Sequence, residues 1–94
     1  MLPFVPWTIR PRPPAPARDG LAWLEAVYRQ EGDKVYRYAL ALSGDPALAA
    51  DATHEAFVAL AQAPAAYDAA QGPVGAYLAG IARHALLAAW RLRD

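Results

Sequence analysis

SGDPALAADATHEAFVALAQAP, residues 43–64, sets the fold. Its first four residues mark a helix boundary. Gly44 suits the left-handed position just past a helix end and Asp45 suits an N-cap. Pro46 suits the first helical turn, where its missing N–H is not needed. The helix that follows should run from Pro46 to about Gln62, because Pro64 disfavours a helical Ala63 and stops it. Leu48, Ala52, Ala56, Ala59 and Leu60 spread around the side of that helix expected to be buried. Asp51, His54, Glu55, Val58 and Gln62 line a different stripe, the polar one.

Upstream, Asp19 and Gly20 can cap a helix beginning at Leu21. Leu21, Leu24 and Tyr28 fall at i, i+3 and i+7, an inward stripe with Val27 beside it. Gly32 is expected to interrupt this helix and Asp33 to restart it. Val35, Ala39 and Leu42 then form the next stripe, with Tyr36 and Leu40 on its flank. Downstream, Ala63 to Gly72 reads as a loop, and Gly72-Pro73 opens the last helix. There Val74, Leu78, Ile81, Ala85, Ala88 and Leu92 fall within a narrow arc at about 100° per residue, a core face about five turns long. Arg83, Leu87 and Trp90 take the opposite arc, flanked by His84 and Arg91. Alanine is abundant and β-branched residues are few, which favours helix and close packing of small side chains. There is no internal repeat, heptad or strand pattern. The expected fold is all-α: a compact bundle of three or four helices in residues 21–94.

Residues 1–20 read differently. Met1 to Arg18 carries Pro3, Pro6, Pro11, Pro13, Pro14 and Pro16, with Arg10, Arg12 and Arg18 as its only charged side chains. Such a stretch forbids helix and interrupts a sheet ladder, so it is expected to be a basic, extended arm of polyproline character. Its apolar residues are too few and too interrupted for a signal peptide or a membrane span, and its prolines break the amphipathic helix of a transit peptide. The chain has no cysteine, so nothing staples a core of this size, and a cytoplasmic, reducing compartment is expected. Zero net charge argues against nonspecific polyanion binding and confines any nucleic-acid contact to a local patch.

Two surfaces stand out. Asp51, His54 and Glu55, in adjacent turns, can pair with the Arg forks of a basic partner helix, or can simply be a solvated face. Asp51 and His54 have a carboxylate–histidine i, i+3 spacing, but di-metal bundles need that motif twice with extra glutamates, so neither a metal nor another cofactor is expected. No Ser or Cys nucleophile accompanies the pair, so no hydrolase is expected, and the chain reads as a binding module and not an enzyme. The second surface joins Tyr67, Asp68 and Gln71 in the loop to Tyr77, Arg83, His84, Trp90, Arg91 and Arg93 on the last helix. Arginine beside aromatic rings suits single-stranded nucleic acid, where bases stack and Arg neutralises phosphate. Polar loop residues near a helix start can read an extruded base. Tyr77 lies near the core arc and packing is its simpler role. Leu87 and Trp90, both turned from the expected core, suggest a partner surface or a dock for the Pro-rich arm or the first helix.

VYRYALALSGDPALAADATHEAF (35–57) and YDAAQGPVGAYLAGIARHALLAAWR (67–91) together carry a family resemblance. Leu24 to Arg93 resembles region 2 of bacterial RNA polymerase sigma factors, of the extracytoplasmic-function (ECF) type within the sigma-70 family. The first stretch is similar to the family's first two helices and polymerase-binding helix, the second to its specificity loop and promoter-melting helix. The resemblance implies that Asp51, His54, Glu55 and Phe57 grip the clamp coiled coil of core RNA polymerase. It implies that the 63–72 loop captures a flipped base of the promoter −10 element, on the non-template strand, while the last helix holds that DNA open. An anti-sigma factor is a further implied partner.

The chain also departs from the family pattern. His54 stands where glutamine is usual, Tyr77 where tryptophan is usual, His84 where asparagine is common and Ala88 where aspartate is common, while Arg83 matches. His54 puts a titratable imidazole on the polymerase-binding stripe. Val58 to Ala61 replaces an arginine–tryptophan pattern, and the helix end has fewer arginines than usual. These changes weaken the implied DNA contacts more than the polymerase contacts. They leave room for a rival reading, a DNA-incompetent protein-interaction bundle that binds polymerase or an anti-sigma factor. A second domain reading the −35 element should follow Asp94, so the chain is expected to be either a fragment or a one-domain relative.

Overall fold

The computed structural model describes residues 20–93, the side chain of Arg93 excepted. The polyproline reading of the arm and the capping role of Asp19 fall outside that range. Three α-helices make up the described structure: α1 (Leu21–Ser43), α2 (Pro46–Gln62) and α3 (Val74–Arg93). Between α2 and α3 lie two single 3-10 turns, Pro64–Ala66 and Ala69–Gln71. The described residues contain no strand.

The boundary at residues 43–46 is built as its sequence dictates. Gly44 takes φ 67°, a conformation that costs glycine nothing, and its N–H donates to the Leu40 carbonyl at 2.7 Å. The Asp45 carboxylate accepts from the N–H groups of Ala47 (2.9 Å) and Leu48 (3.3 Å). The Ser43 hydroxyl accepts from the Asp45 N–H at 3.1 Å, which ties the turn to the end of α1. So short a connection makes α1 and α2 antiparallel neighbours, and it sets Tyr28 opposite Phe57 across the bundle.

Gly32 does not interrupt α1, which is one continuous helix of 23 residues. A glycine inside a helix costs about 1 kcal/mol against alanine, too little to break a helix whose neighbours Val27, Val35 and Ala39 are buried. Gly32 is itself buried, and a Cβ there would meet the Tyr28 ring at 3.4 Å. The inward stripe of α1 is Val27, Val35 and Ala39. Leu21, Tyr28 and Leu42, read from the sequence as inward, are exposed.

Packing is close, as the alanine content implies. Of the six core side chains with no exposed surface, Ala39, Ala49, Ala56 and Ala82 are alanines, and Leu60 and Leu78 complete the set. α3 buries Leu78, Ala82 and Leu86, with Val74, Ile81, Ala85 and Trp90 packed against that cluster. Ala88 and Leu92 are exposed, Leu92 by 88 %. The expected face therefore holds for the first half of α3 and fails for the second. At about 100° per residue, Ala82 and Leu86 lie about 40° and about 80° round from Leu78. The buried arc thus follows the i, i+4 row around the helix, as ridge packing against two neighbours requires. Trp90 falls at the edge of that arc, which is why it packs inward and not on the opposite face.

Glu31 of α1 reaches the first turn of α3, where a Cβ on Gly75 would overlap its Oε1 at 2.5 Å. That turn has no acidic residue of its own, so Glu31 supplies the negative charge that a helix N-terminus favours. Gly80 is the reverse case, exposed and with nothing within 4 Å of a Cβ. Gly80→Ala is expected to raise unfolding stability by about 0.5–1 kcal/mol through helix propensity alone, measured as a shift in urea midpoint at unchanged m-value.

Candidate functional site

Asp51, His54 and Glu55 are all exposed on one face of α2, joined by Val58 and Gln62. The helix carries no lysine or arginine. Among the described residues the ion pair is Arg37–Asp33 on α1, at 2.7 Å between largely exposed side chains, and the α2 carboxylates meet no cation of that set. Exposed carboxylates one turn apart repel each other by a few tenths of a kcal/mol. An incoming Arg fork relieves that repulsion and gains charge-assisted hydrogen bonds.

Phe57 is not part of this face. At about 100° per residue it lies about 120° round from Asp51. It is buried to 8 % exposure, and its ring meets Tyr28 edge-on, centroids 5.0 Å apart at 73°. What α2 offers beside the acidic residues is instead a groove against α1. Tyr28, Gly32 and Tyr36 form one wall and Thr53, His54 and Phe57 the other, enclosing about 600 Å³. A second groove of about 590 Å³ continues it past Leu24 and Glu25. The Thr53 hydroxyl donates to the Ala49 carbonyl at 2.7 Å. Sequence reasoning missed this groove, although Tyr28-x3-Gly32-x3-Tyr36 signals it. A glycine between two aromatics one turn either way lets the Tyr28 ring lie against the backbone of α1 and form the groove wall.

The loop after α2 is compact. Tyr67 is buried, its hydroxyl donates to the Gly72 carbonyl at 2.8 Å, and its ring tilts against Tyr77 at 5.3 Å between centroids. Asp68 caps the second 3-10 turn, accepting from the Ala70 N–H at 3.0 Å and the Gln71 amide nitrogen at 3.4 Å. Gly72 takes φ 143°, a region that side chains rarely adopt, and so lets the chain reverse into α3. Together Tyr67, Asp68, Gln71, Gly72, Pro73 and Tyr77 line a pocket of about 250 Å³. That is smaller than the roughly 300–1,000 Å³ of a drug-sized site, and its aromatic walls suit one planar ring.

The remaining basic and aromatic residues do not join this pocket. Arg83 and His84 are exposed on α3, about 9 Å along the axis from Tyr77 at 1.5 Å per residue. Arg91 is exposed about 21 Å along, and Trp90 is partly buried against the core. α3 nonetheless carries Arg83, Arg91 and Arg93 with no carboxylate, whereas α2 carries Asp51 and Glu55 with no cation. The neutral chain thus divides into one acidic and one basic helix. Among the described residues no three His, Cys, Asp or Glu side chains gather as a metal site, and no helix is long and apolar enough to cross a membrane.

Neither the curated proteins nor the solved structures include a significant match to the chain. The family model described as Sigma-70 region 2 matches residues 27–94, more than two thirds of the sequence, and takes in α1 from Val27 onward and the whole of α2 and α3. With that match and an all-helical structure that separates an acidic from a basic helix, the chain belongs to the sigma-70 region 2 family.

Proposed function

We propose that this domain works as the region 2 of an ECF-type sigma factor, holding the clamp coiled coil of core RNA polymerase on α2 and the opened −10 element on the loop and α3. Region 2 domains are non-enzymatic regulators of transcription initiation, with RNA polymerase and promoter DNA as their general partners. The observation that carries the finer reading is the segregation of charge between two helices, with the α2 carboxylates unpaired among the described residues. On this reading Asp51 and Glu55 meet basic side chains of the coiled coil and His54 adds a hydrogen bond. Phe57 supports the face from below.

On the DNA side the pocket of Tyr67, Asp68, Gln71 and Tyr77 takes one unstacked base of the non-template strand. Arg83 and Arg91 follow the phosphates along α3, with His84 beside them and Trp90 bracing the helix end. Unstacking costs a few kcal/mol, which capture of the extruded base offsets. The domain division, a Pro-rich arm over 1–20 and the helical domain over 21–94, and cytoplasmic placement belong to the same reading.

One observation favours the rival, a bundle that binds polymerase or an anti-sigma factor without engaging DNA. Among the described residues no arginine or lysine lines the loop pocket, and Asp68 and Gln71 are hydrogen-bonded to each other. Titrating the full chain with a −10-like single strand, read by tryptophan fluorescence, decides between the two. Two phosphate contacts give a log–log salt slope of about −1.4, so affinity should fall roughly sevenfold between about 50 and about 200 mM salt. Absence of binding at the lower salt concentration selects the interaction bundle.

A further inference from the structure

We propose that the groove between α1 and α2 is the docking site of the chain's own N-terminal segment, residues 1–18. The groove is unpartnered in the bundle and rich in aromatic surface: Tyr28 is 61 % exposed at its centre, with Tyr36 and the Phe57 ring edge beside it. Aromatic-lined grooves recognise polyproline segments, which arrive already extended and give up little entropy on docking. This chain carries such a ligand. Pro3-Phe4-Val5-Pro6 and Pro11-Arg12-Pro13-Pro14 both present prolines three residues apart, and Phe4 and Trp7 supply rings of their own.

Length agrees with that occupant. Arg10, Arg12 and Arg18 are the charged side chains of the segment. Glu25 lies exposed on the groove rim, Arg29 lines both parts of the groove, and Asp33 stands farther along, paired with Arg37. Charge is therefore balanced along the groove, and the aromatic surface, not charge, selects the occupant. The groove runs beside α1 from Leu24 to Tyr36, about 18 Å at 1.5 Å per residue. About six residues of polyproline helix, at about 3.1 Å each, cover that span. The segment joins α1 at Gly20, one turn from the groove's near end, so the remaining residues suffice to turn the chain back.

A docked segment stands against His54 and therefore beside the acidic face of α2. It competes with a partner approaching that face, a consequence that rests on the α2 reading given above. Docking itself is measured without any polymerase, so failure of one does not resemble failure of the other. The chain has no cysteine, and Val5→Cys gives a single position for a nitroxide label on the isotope-labelled 94-residue chain. The expected result is loss of amide signal at Tyr28, Gly32, Thr53 and Phe57, with Arg83 to Arg91 unaffected. Phe4→Ala with Trp7→Ala in the same labelled chain should restore the lost signals. Loss centred on α3 or the 63–72 loop, or no loss, overturns the proposal. Equal loss in an isotope-labelled, nitroxide-free chain mixed with an isotope-free, nitroxide-bearing one assigns the groove to a second copy and overturns it as well.

Discussion

Asp51→Lys combined with Glu55→Lys abolishes capture of core RNA polymerase and leaves the far-ultraviolet helical signal unchanged. Both side chains are exposed and neither is bonded within the bundle, so the fold loses no contact. Lysine is at least as good a helix former as aspartate or glutamate. Binding loses two attractive charges and gains two repulsive ones. Truncating one member of an interfacial charge pair costs about 2–5 kcal/mol. Even the lower figure for a single pair is roughly thirtyfold in Kd, and reversal at two positions takes a pull-down below detection. Retention of polymerase by the double variant would remove α2 from the interface. A parallel Phe57→Ala variant is uninformative there, because Phe57 packs on Tyr28 and its loss unsettles the α1–α2 contact as well as any partner.

Leu78→Ala should be the most damaging single truncation in α3, and Leu92→Ala should be silent. Leu78 has no exposed surface and Leu92 is 88 % exposed. Leucine-to-alanine changes in a packed core cost about 2–5 kcal/mol, through lost transfer energy and the cavity left behind. At roughly 0.05–0.15 kcal/mol per residue, a domain of this size holds about 4–11 kcal/mol in total. Leu78→Ala therefore removes a large share of its stability and populates unfolded chain at 37 °C. Urea unfolding followed by circular dichroism checks both variants. A loss at Leu92 comparable to that at Leu78 would restore the Val74–Leu92 arc as the core face.

The parts of the fold legible in the sequence are those fixed by backbone chemistry. The Gly44–Asp45–Pro46 boundary and the end of α2 before Pro64 depend on φ restriction and on capping groups, which act within a few residues of themselves. The all-helical class follows from the alanine content in the same local way. What was not legible depends on partners distant in sequence. Gly32 looks like a break until the Tyr28 ring is set against it and Phe57 against that ring. The second half of α3 looks like a continuation of the Val74–Leu78 arc until α1 and α2 together impose a wider one. At the candidate site, Asp51, His54 and Glu55 were readable because exposed polar residues at helical spacing share a face whatever lies behind them. The loop pocket was readable in its residues Tyr67, Asp68, Gln71 and Tyr77, although not in their bonding to one another. Phe57 was placed on the acidic stripe by family likeness, whereas its ring is turned into the core.

Alanine has no side-chain dihedral to rearrange, and Ala39, Ala49, Ala56 and Ala82 are wholly enclosed. An interior built this way offers few alternative rotamer states through which an event on one helix can be passed to another. Signals in packed proteins travel where elements have two discrete arrangements, and the alanine contacts supply none. A partner seated on α2 therefore reaches α3 by moving the bundle as one body, or by acting on the loop that joins the two helices, whose Gly72 carbonyl is held by the Tyr67 hydroxyl.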